Sequence, residues 1–361
     1  MENHLKSIQD LIKEKGLDAL IVTNSTNIFY LTGFKGLSPT EREAVLIVCR
    51  SKPSTLVTAK LYQAEALQLA STDLQVKITA ERKEVQDAIK NVLSAFKKVG
   101  IEERDIKLAE YIKYRKILKG KKLVPTKKLI EEVREIKTPA ELANITKAQT
   151  LTQKVFEEVI KTIKIGQTEA EIKDNLEKIA KTKSREPLAF EPIVASGPNS
   201  ALPHYLTASR KIKKGDALLF DFGLKYKNYC ADFSRTVFVG KANDEQKNIY
   251  SLVAIAQKTA IAKIKPNIKA KDIYNESFNL FKKNALEDKF IHSLGHGIGL
   301  EVHEKPSLYK TSKDILKPGM VFSVEPGLYM TWGGIRIEDL ATIKNGKAEI
   351  FGKSAKFIEI T

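Results

Sequence analysis

Residues 221–236 read DFGLKYKNYCADFSRT. Apolar and aromatic ends flank a polar centre at Tyr226, Lys227 and Asn228, the composition of two strands joined by a tight turn. Asp221 and Asp232 stand on either side of that turn, 11 residues apart (232 minus 221). Across a two-residue turn, residues an odd number apart point to the same face unless a bulge intervenes, so both carboxylates can reach one site. Glu325 in EPG and Glu338 in RIED are 13 apart (338 minus 325) and obey the same parity across a second strand pair. His296 lies between the pairs in GHGIG, where Gly295, Gly297 and Gly299 allow a tight backbone to present the imidazole.

Four carboxylates and one imidazole suit a pair of hard or borderline divalent ions whose task is to make hydroxide. Mn²⁺ is the first expectation, and Co²⁺, Zn²⁺ or Fe²⁺ are compatible. Taken singly, each acid is more simply an exposed residue or a salt-bridge partner in a lysine-rich chain. That explanation weakens for the set, because each member lies beside Gly, Pro or strand signals in the same region. His303-Glu304 runs on to Ser307 rather than to a second histidine, which excludes an HExxH zinc helix. GHGIG has the wrong spacing for a dinucleotide-binding loop.

The 361 residues, 42% hydrophobic and 29% charged, predict two globular domains, each able to bury a core. The net charge is +17, with its densest stretch at residues 111–137, where ten Lys/Arg and three Glu give +7. The surplus is spread along the chain and lacks RNA-binding or zinc-finger motifs. Solvated lysine faces are therefore expected rather than a nucleic-acid partner. Two cysteines, Cys49 and Cys230, make no disulfide framework. Residues 1–16 form an amphipathic helix pattern with Leu5, Ile8, Leu11 and Ile12 on one side, not a signal peptide, and no stretch is long and apolar enough to span a bilayer. A cytoplasmic protein without membrane contact is expected.

Apolar β-branched runs at residues 18–23, 44–49 and 54–58 read as buried strands. Helix patterns follow at 61–70 and 84–98, with short strands at 107–109 and 123–124, giving an α/β N-terminal domain over residues 1–134. Thr138-Pro139 with Glu141 forms a capping box that opens a long helix, and Thr168 with Glu171 opens another. Beyond these come a strand, the hairpin, helices at 244–265 and 270–286, and strands at 320–325 and 334–343 around an irregular loop at 326–333. Residues 135–361 therefore read as an α+β domain.

DFG…YCADFSRT, PHY at 203–205, GHGIGLEVHE at 295–304, EPGLY at 325–329 and GGIRIED at 333–339 resemble the motifs of the pita-bread metallopeptidase family. Its members include Xaa-Pro aminopeptidases, Xaa-Pro dipeptidases (prolidases), methionine aminopeptidases and creatinases. LDALIVTNSTNIFYLTGF at 17–34 is similar to the creatinase-like N-terminal domain that methionine aminopeptidases lack, and EIKTPAELANITKAQ at 135–149 is similar to the start of the catalytic domain. The resemblance spans the whole chain. It implies a creatinase-like domain, a pita-bread catalytic domain and a homodimer. Its metal ligands fall on Asp221, Asp232, His296, Glu325 and Glu338, with none missing. Ala231 and Ser234 stand where Ser and Thr are commoner, and Ser234 keeps the hydroxyl.

The resemblance also implies that His204 and His303 bind the substrate and steady the tetrahedral intermediate. Glu325, besides ligating, is the candidate to move the water proton, and Arg336 either holds a ligand carboxylate or forms a plain surface salt bridge. Tyr229 either does similar work or packs, and His292 is unassigned. The implied substrate is a peptide with proline second, cleaved before the proline, which requires an apolar slot that Phe190, Tyr205 and Tyr329 are expected to line. An Xaa-Pro aminopeptidase is the first expectation and an Xaa-Pro dipeptidase the second. A non-catalytic peptide- or nucleic-acid-binding member of the fold and a creatinase-like amidinohydrolase are the alternatives.

Overall fold

The computed structural model describes residues 4–36 and 41–360. The chain divides into two compact units, Met1–Val133 and Arg134–Thr361. The first unit is built on six strands, β1 (Ala19–Val22), β2 (Ala44–Cys49), β3 (Ser54–Ala59), β4 (Leu74–Thr79), β5 (Lys98–Glu102) and β6 (Lys122–Thr126), in the order β4-β3-β2-β1-β5-β6. Every residue of β1 and β2 is buried, which is why both read as continuous apolar runs. The helix His4–Glu14 buries Leu5, Ile8 and Ile12 but leaves Leu11 only half-buried. The helix Ser25–Thr32 is capped by Asn24, whose side chain accepts from the Asn27 N–H, and stops at Gly33 with φ 82°.

Two expectations for this unit are corrected. The helix expected over 84–98 ends at Val92, and Lys98–Glu102 is a strand paired in parallel with β1 and β6. A five-residue strand with a glycine at its centre is too short for its period to compete with the helical pattern before it. The strand expected at 107–109 is instead the start of the helix Leu108–Ile117, where the Lys107 N–H donates to Glu110. At the end of β5, Glu102 accepts hydrogen bonds from the backbone N–H groups of Thr23 and Asn24 and from Asn27 Nδ2. Burial nonetheless lifts its carboxyl from an ordinary 4.5 to about 7, against the pull of those donors.

In the second unit the helix Pro139–Val159 begins with the expected capping box of Thr138 and Glu141, and Glu169–Lys183 begins with that of Thr168 and Glu171. Tyr229 spends its hydroxyl on Glu141 (2.7 Å), not on a carboxylate of the clustered set. Phe156 of the long helix stacks edge-on against Phe220 and Phe233, with ring centroids 5.7 and 5.2 Å away. The helices Asp244–Lys263 and Ala270–Lys283 cover a second apolar cluster that contains Phe322, Val324 and Ile337.

The strands of this unit are β7 (Ile193–Ser196), β8 (Ala217–Asp221), β9 (Lys225–Tyr226), β10 (Tyr229–Cys230), β11 (Ser234–Val239), β12 (Gly295–Gly297), β13 (Glu304–Leu308), β14 (Val321–Val324), β15 (Gly327–Met330), β16 (Gly333–Arg336), β17 (Asp339–Lys344), β18 (Lys347–Ile350) and β19 (Glu359–Ile360). One sheet runs β19-β11-β8-β7 and another β13-β12-β14-β17-β18, with β9-β10 and β15-β16 as separate hairpins. Residues 326–333, expected as an irregular loop, carry β15 and turn into β16. Their glycines mimic a loop in composition. Gly334 is needed for space, because a Cβ there would lie 2.0 Å from the Ser200 carbonyl oxygen. A bridge between Arg235 and Ile337 stitches β11 to the segment after β16. Fully buried Arg235 ties the same junction, reaching the carbonyls of Ser234 and Glu338 and, at 2.5 Å, Asp339 Oδ1.

Within this unit Arg134 donates to Glu301 (2.8 Å) and Glu304 (2.5 Å), and Lys137 to Glu304 (3.1 Å). The side chains of Arg134, Lys137 and Glu304 are 3%, 1% and 7% exposed. Removing one member of such a buried network strands the others without a counter-charge. Glu304→Ala is therefore expected to lower unfolding stability by roughly 3–5 kcal/mol in urea titrations.

The Glu102 carboxyl gives a second expectation. Its folded pKa is raised, so its contribution is fully present below about 4.5 and is lost as pH rises to about 7. Tm measured across that window should fall for the wild type relative to Glu102→Gln. Parallel profiles would refute the assignment.

Candidate metal centre

The hairpin register places the four carboxylates. Asp221 pairs with Ser234, and Phe222 N–H to Phe233 O and Ala231 N–H to Leu224 O carry the ladder towards the turn. Asp232, two residues before Ser234, therefore shares a face with Asp221. Lys227 and Asn228, at φ 48° and 68°, make the two-residue turn between Tyr226 and Tyr229. In the second pair, Val324 faces Asp339 and Gly327 faces Arg336, so an unbroken register sets Glu325 opposite Glu338. The Glu338 N–H donates to the Ser234 carbonyl, which brings the two pairs together.

His296 comes from β12, held beside β14 by the Gly297–Phe322 pairing and by its own N–H to Ser323 Oγ (3.0 Å). The flanking glycines are forced by close approach. A Cβ at Gly295 would lie 2.0 Å from the Ser323 carbonyl oxygen, and one at Gly297 would lie 1.9 Å from that of Lys305. His296 Nε2 stands 3.5 Å from Asp232 Oδ2 and 3.4 Å from Glu325 Oε1. Ligand atoms of Asp232, His296 and Glu338 all lie within 4.8 Å of one another.

Arg336 Nη2 donates to Asp221 Oδ2 (2.6 Å), its Nε to Ser234 Oγ (2.9 Å) and its Nη1 to the Tyr329 hydroxyl (2.9 Å). Ser234 Oγ passes the chain on to Glu338 Oε2 (2.8 Å). Ser323 Oγ donates to Glu325 Oε1 (3.0 Å). Ser234 was noted in the sequence only for keeping a hydroxyl, with no partner assigned, and Ser323 was not singled out. Their signal was the two-residue spacing from Asp232 and Glu325, which sets each on the ligand's face of its strand.

All five residues line a cavity of about 420 Å³, together with His204, His303, His292 and Arg336. Phe190, Ile193, Pro203 and Val302 form its apolar wall. Two of the three expected slot residues stand elsewhere. The Tyr205 hydroxyl donates to Glu169 Oε2 (2.9 Å), away from the cavity. Tyr329 is buried behind the lining, with its hydroxyl between Arg336 and His292 Nε2 (2.8 Å). His292, unassigned from the sequence, lines the cavity and bonds Tyr329. The rings of His296 and His303 are 4.4 Å apart.

The charge state of this cavity fits divalent metals. Four carboxylates against the one guanidinium of Arg336 leave three negative charges if all ionise (−4 + 1). Burial, then Asp221 and Glu325, hold the Asp232 carboxyl well above the usual range, and burial followed by Asp232 does the same for Glu338. Asp221 is also raised by burial, with Arg336 opposing. Burial pushes Glu325 upward too, but His296, His292 and Arg336 outweigh it and leave that carboxyl below its ordinary value. Glu338 Oε1 is buried with no hydrogen-bond partner. An orphaned carboxylate oxygen beside an imidazole and a second carboxylate is a donor set that fits a divalent cation. Asp221, Asp232, His296, Glu325 and Glu338 would hold it.

Comparison with known proteins agrees with this chemistry. Residues 143–345 match the model of metallopeptidase family M24, and residues 4–136 match the creatinase/prolidase N-terminal domain. The chain is 34% identical to an Xaa-Pro dipeptidase of Pyrococcus horikoshii, covering 97% of each. It superposes on the structure of an Xaa-Pro dipeptidase from Bacillus anthracis with a TM-score of 0.93 at 30% identity, covering 99% of both chains. Against an X-Pro aminopeptidase from Thermotoga maritima the TM-score is 0.89, again at 30% identity and 99% coverage of each chain. With an α/β creatinase-like domain, an α+β pita-bread domain and a clustered carboxylate–histidine site, the chain belongs to metallopeptidase family M24 and is a metal-dependent peptidase.

Proposed function

We propose that this peptidase hydrolyses the bond between an N-terminal residue and proline, and that dipeptides are its main substrates. The observation that carries the reading is the site itself, a four-carboxylate, one-histidine cluster opening into a cavity of about 420 Å³ with an apolar wall. That volume lies near the small end of the roughly 300–1,000 Å³ typical of ligand pockets. Phe190, Ile193, Pro203 and Val302 suit a proline ring, which has no N–H to satisfy. The sequence put an aminopeptidase first. The names carried by similar proteins favour the dipeptidase, since those of Pyrococcus horikoshii, Pyrococcus furiosus and Bacillus anthracis are all Xaa-Pro dipeptidases. The Thermotoga maritima aminopeptidase keeps the wider reading as the second one.

In this reading two divalent ions, Mn²⁺ by preference, supply Lewis acidity to a water and to the scissile carbonyl. Glu325, held by the Ser323 hydroxyl, accepts the water proton and passes it to the leaving proline nitrogen. His204 donates to the oxygen that gains charge. Burial, and then His296, hold the His303 imidazole below its ordinary pKa, so it meets the substrate neutral, with one donor nitrogen and one acceptor. Arg336 keeps Asp221 oriented. The homodimer, the cytoplasmic location and the absence of nucleic-acid partners belong to the same proposal. Cys49 and Cys230 are both buried free thiols, and among the described residues no helix is long and apolar enough to cross a membrane.

Metal-reconstituted protein should release proline from Ala-Pro, lose that activity to chelator, and cleave Ala-Pro-Ala at least about ten times more slowly, as weaker transition-state binding of the longer chain requires. Comparable rates on both peptides would restore the aminopeptidase reading, and no cleavage of either by metal-loaded protein would sink both. Metal binding should also displace protons from Asp232 and Glu338, whose carboxyls burial holds above their ordinary range. Affinity should therefore rise with pH, and calorimetry in buffers of different ionisation heat should show proton release that diminishes in Asp232→Asn. Affinity independent of pH would contradict the ligand assignment.

A further inference from the structure

The segment that carries His204 has little backbone support of its own. After the 3₁₀ turn Gly197–Ala201 it leaves the sheet, and the bonds within it are Leu202 N–H to Asn199 O and Tyr205 N–H to Leu202 O. His204 is exposed at the cavity wall, whereas Tyr205 is half-buried. His204 and Tyr205 are the third and fourth residues of the turn that the Tyr205 N–H closes on Leu202 O, so whatever fixes Tyr205 also holds His204.

What fixes it is Glu169, the first residue of the helix Glu169–Lys183, whose side chain is fully buried. Its Oε1 accepts from the Ser196 N–H and hydroxyl (both 2.6 Å), Asn199 Nδ2 bridges both carboxylate oxygens (3.1 and 3.2 Å), and its Oε2 accepts from the Tyr205 hydroxyl (2.9 Å). Asn199 Nδ2 also donates to the Tyr205 hydroxyl (2.8 Å). Arg210 Nη1 donates to Ser196 Oγ (2.5 Å) and is itself held by Asp216. One carboxylate thus ties the start, middle and end of residues 196–205 to a helix N-terminus, where negative charge is favoured. Burial, then Glu169, lift the Tyr205 phenol to about 12, so it remains a donor.

We infer that Glu169, acting through Tyr205, is a positioning residue that holds His204 at the cavity for the reaction proposed above. It touches no substrate. Because the inference rests on the Xaa-Pro reading, its test has one arm that needs no activity.

Tyr205→Phe removes a single hydroxyl and Glu169→Gln keeps one acceptor oxygen, so both should fold, whereas Glu169→Ala would strip the Ser196, Asn199 and Tyr205 donors of their acceptor. Each should lower kcat on Ala-Pro about 10-fold or more, with KM changed less than about twofold, as small misplacements of a reacting group do. In a His204→Ala background the same substitutions should change kcat less than about twofold, because the residue they act through is gone. Equal losses in both backgrounds would reduce Glu169 to a structural anchor and overturn the inference. Independently, hydrogen exchange at residues 197–205 should accelerate in both variants while residues 295–299 stay unchanged. Unaltered exchange at 197–205 would overturn it too. If the wild type cleaves no Xaa-Pro peptide, the proposed function falls, and the exchange measurement alone decides whether Glu169 holds this segment.

Discussion

Mutual repulsion among Asp221, Asp232, Glu325 and Glu338 is the condition the rest of the catalytic unit is built around. Each faces the same cavity, and Asp232 and Glu338 are at most 5% exposed. Buried charge of one sign is expensive unless it is paired or bound to metal. The chain supplies part of the compensation. Arg336 bonds Asp221, the Ser234 hydroxyl bonds Glu338, and the Ser323 hydroxyl bonds Glu325. The remainder, marked by the partnerless Oε1 of Glu338, is left for divalent ions. Binding and folding are coupled through this deficit, since ions that neutralise it stabilise the same arrangement that holds them.

Holding like charges together demands rigid supports, and the two strand pairs provide them. Register alone sets Asp221 and Asp232 on one face and Glu325 opposite Glu338. Arg235 then locks one pair to the other by bonding main chain and side chain at residues 234, 338 and 339. The two histidines proposed to meet the substrate stand on less regular segments, and each has a buried ionic support next to it in sequence. Glu169 reaches Tyr205 beside His204, while Arg134 and Lys137 reach Glu304 beside His303. Strands set what must not move, and buried carboxylates secure what a ladder cannot hold.

Much of this was legible because strand parity and capping are local rules. The odd spacings within the two acid pairs anticipated their shared faces, and Thr138 with Glu141 and Thr168 with Glu171 anticipated two helix starts. The errors came where local pattern competes with packing. Lys98–Glu102 looked like the end of a helix because its partners, β1 and β6, are distant in sequence. Residues 326–333 looked like a loop because of their glycines, yet Gly333 and the adjoining Gly334 answer to Ser200, a neighbour invisible in the pattern. Tyr205 and Tyr329 were assigned to a substrate slot on proximity to motifs, yet their hydroxyls are committed to Glu169 and to Arg336 with His292.

The sequence by itself determined the chemistry of the centre, since residue type and spacing fix which oxygen and nitrogen donors a hairpin can present on one face. It also determined the two-part organisation, through the change from β-branched runs to capped helices. Only the tertiary structure decided where each hydroxyl and guanidinium is spent. Ser234, Ser323, Tyr205, Tyr329 and Glu169 each have only a few donor or acceptor sites to satisfy and many candidate partners along the chain. Burial makes those choices exclusive, because a polar group removed from water must bond what packing has set beside it, whatever its distance in sequence.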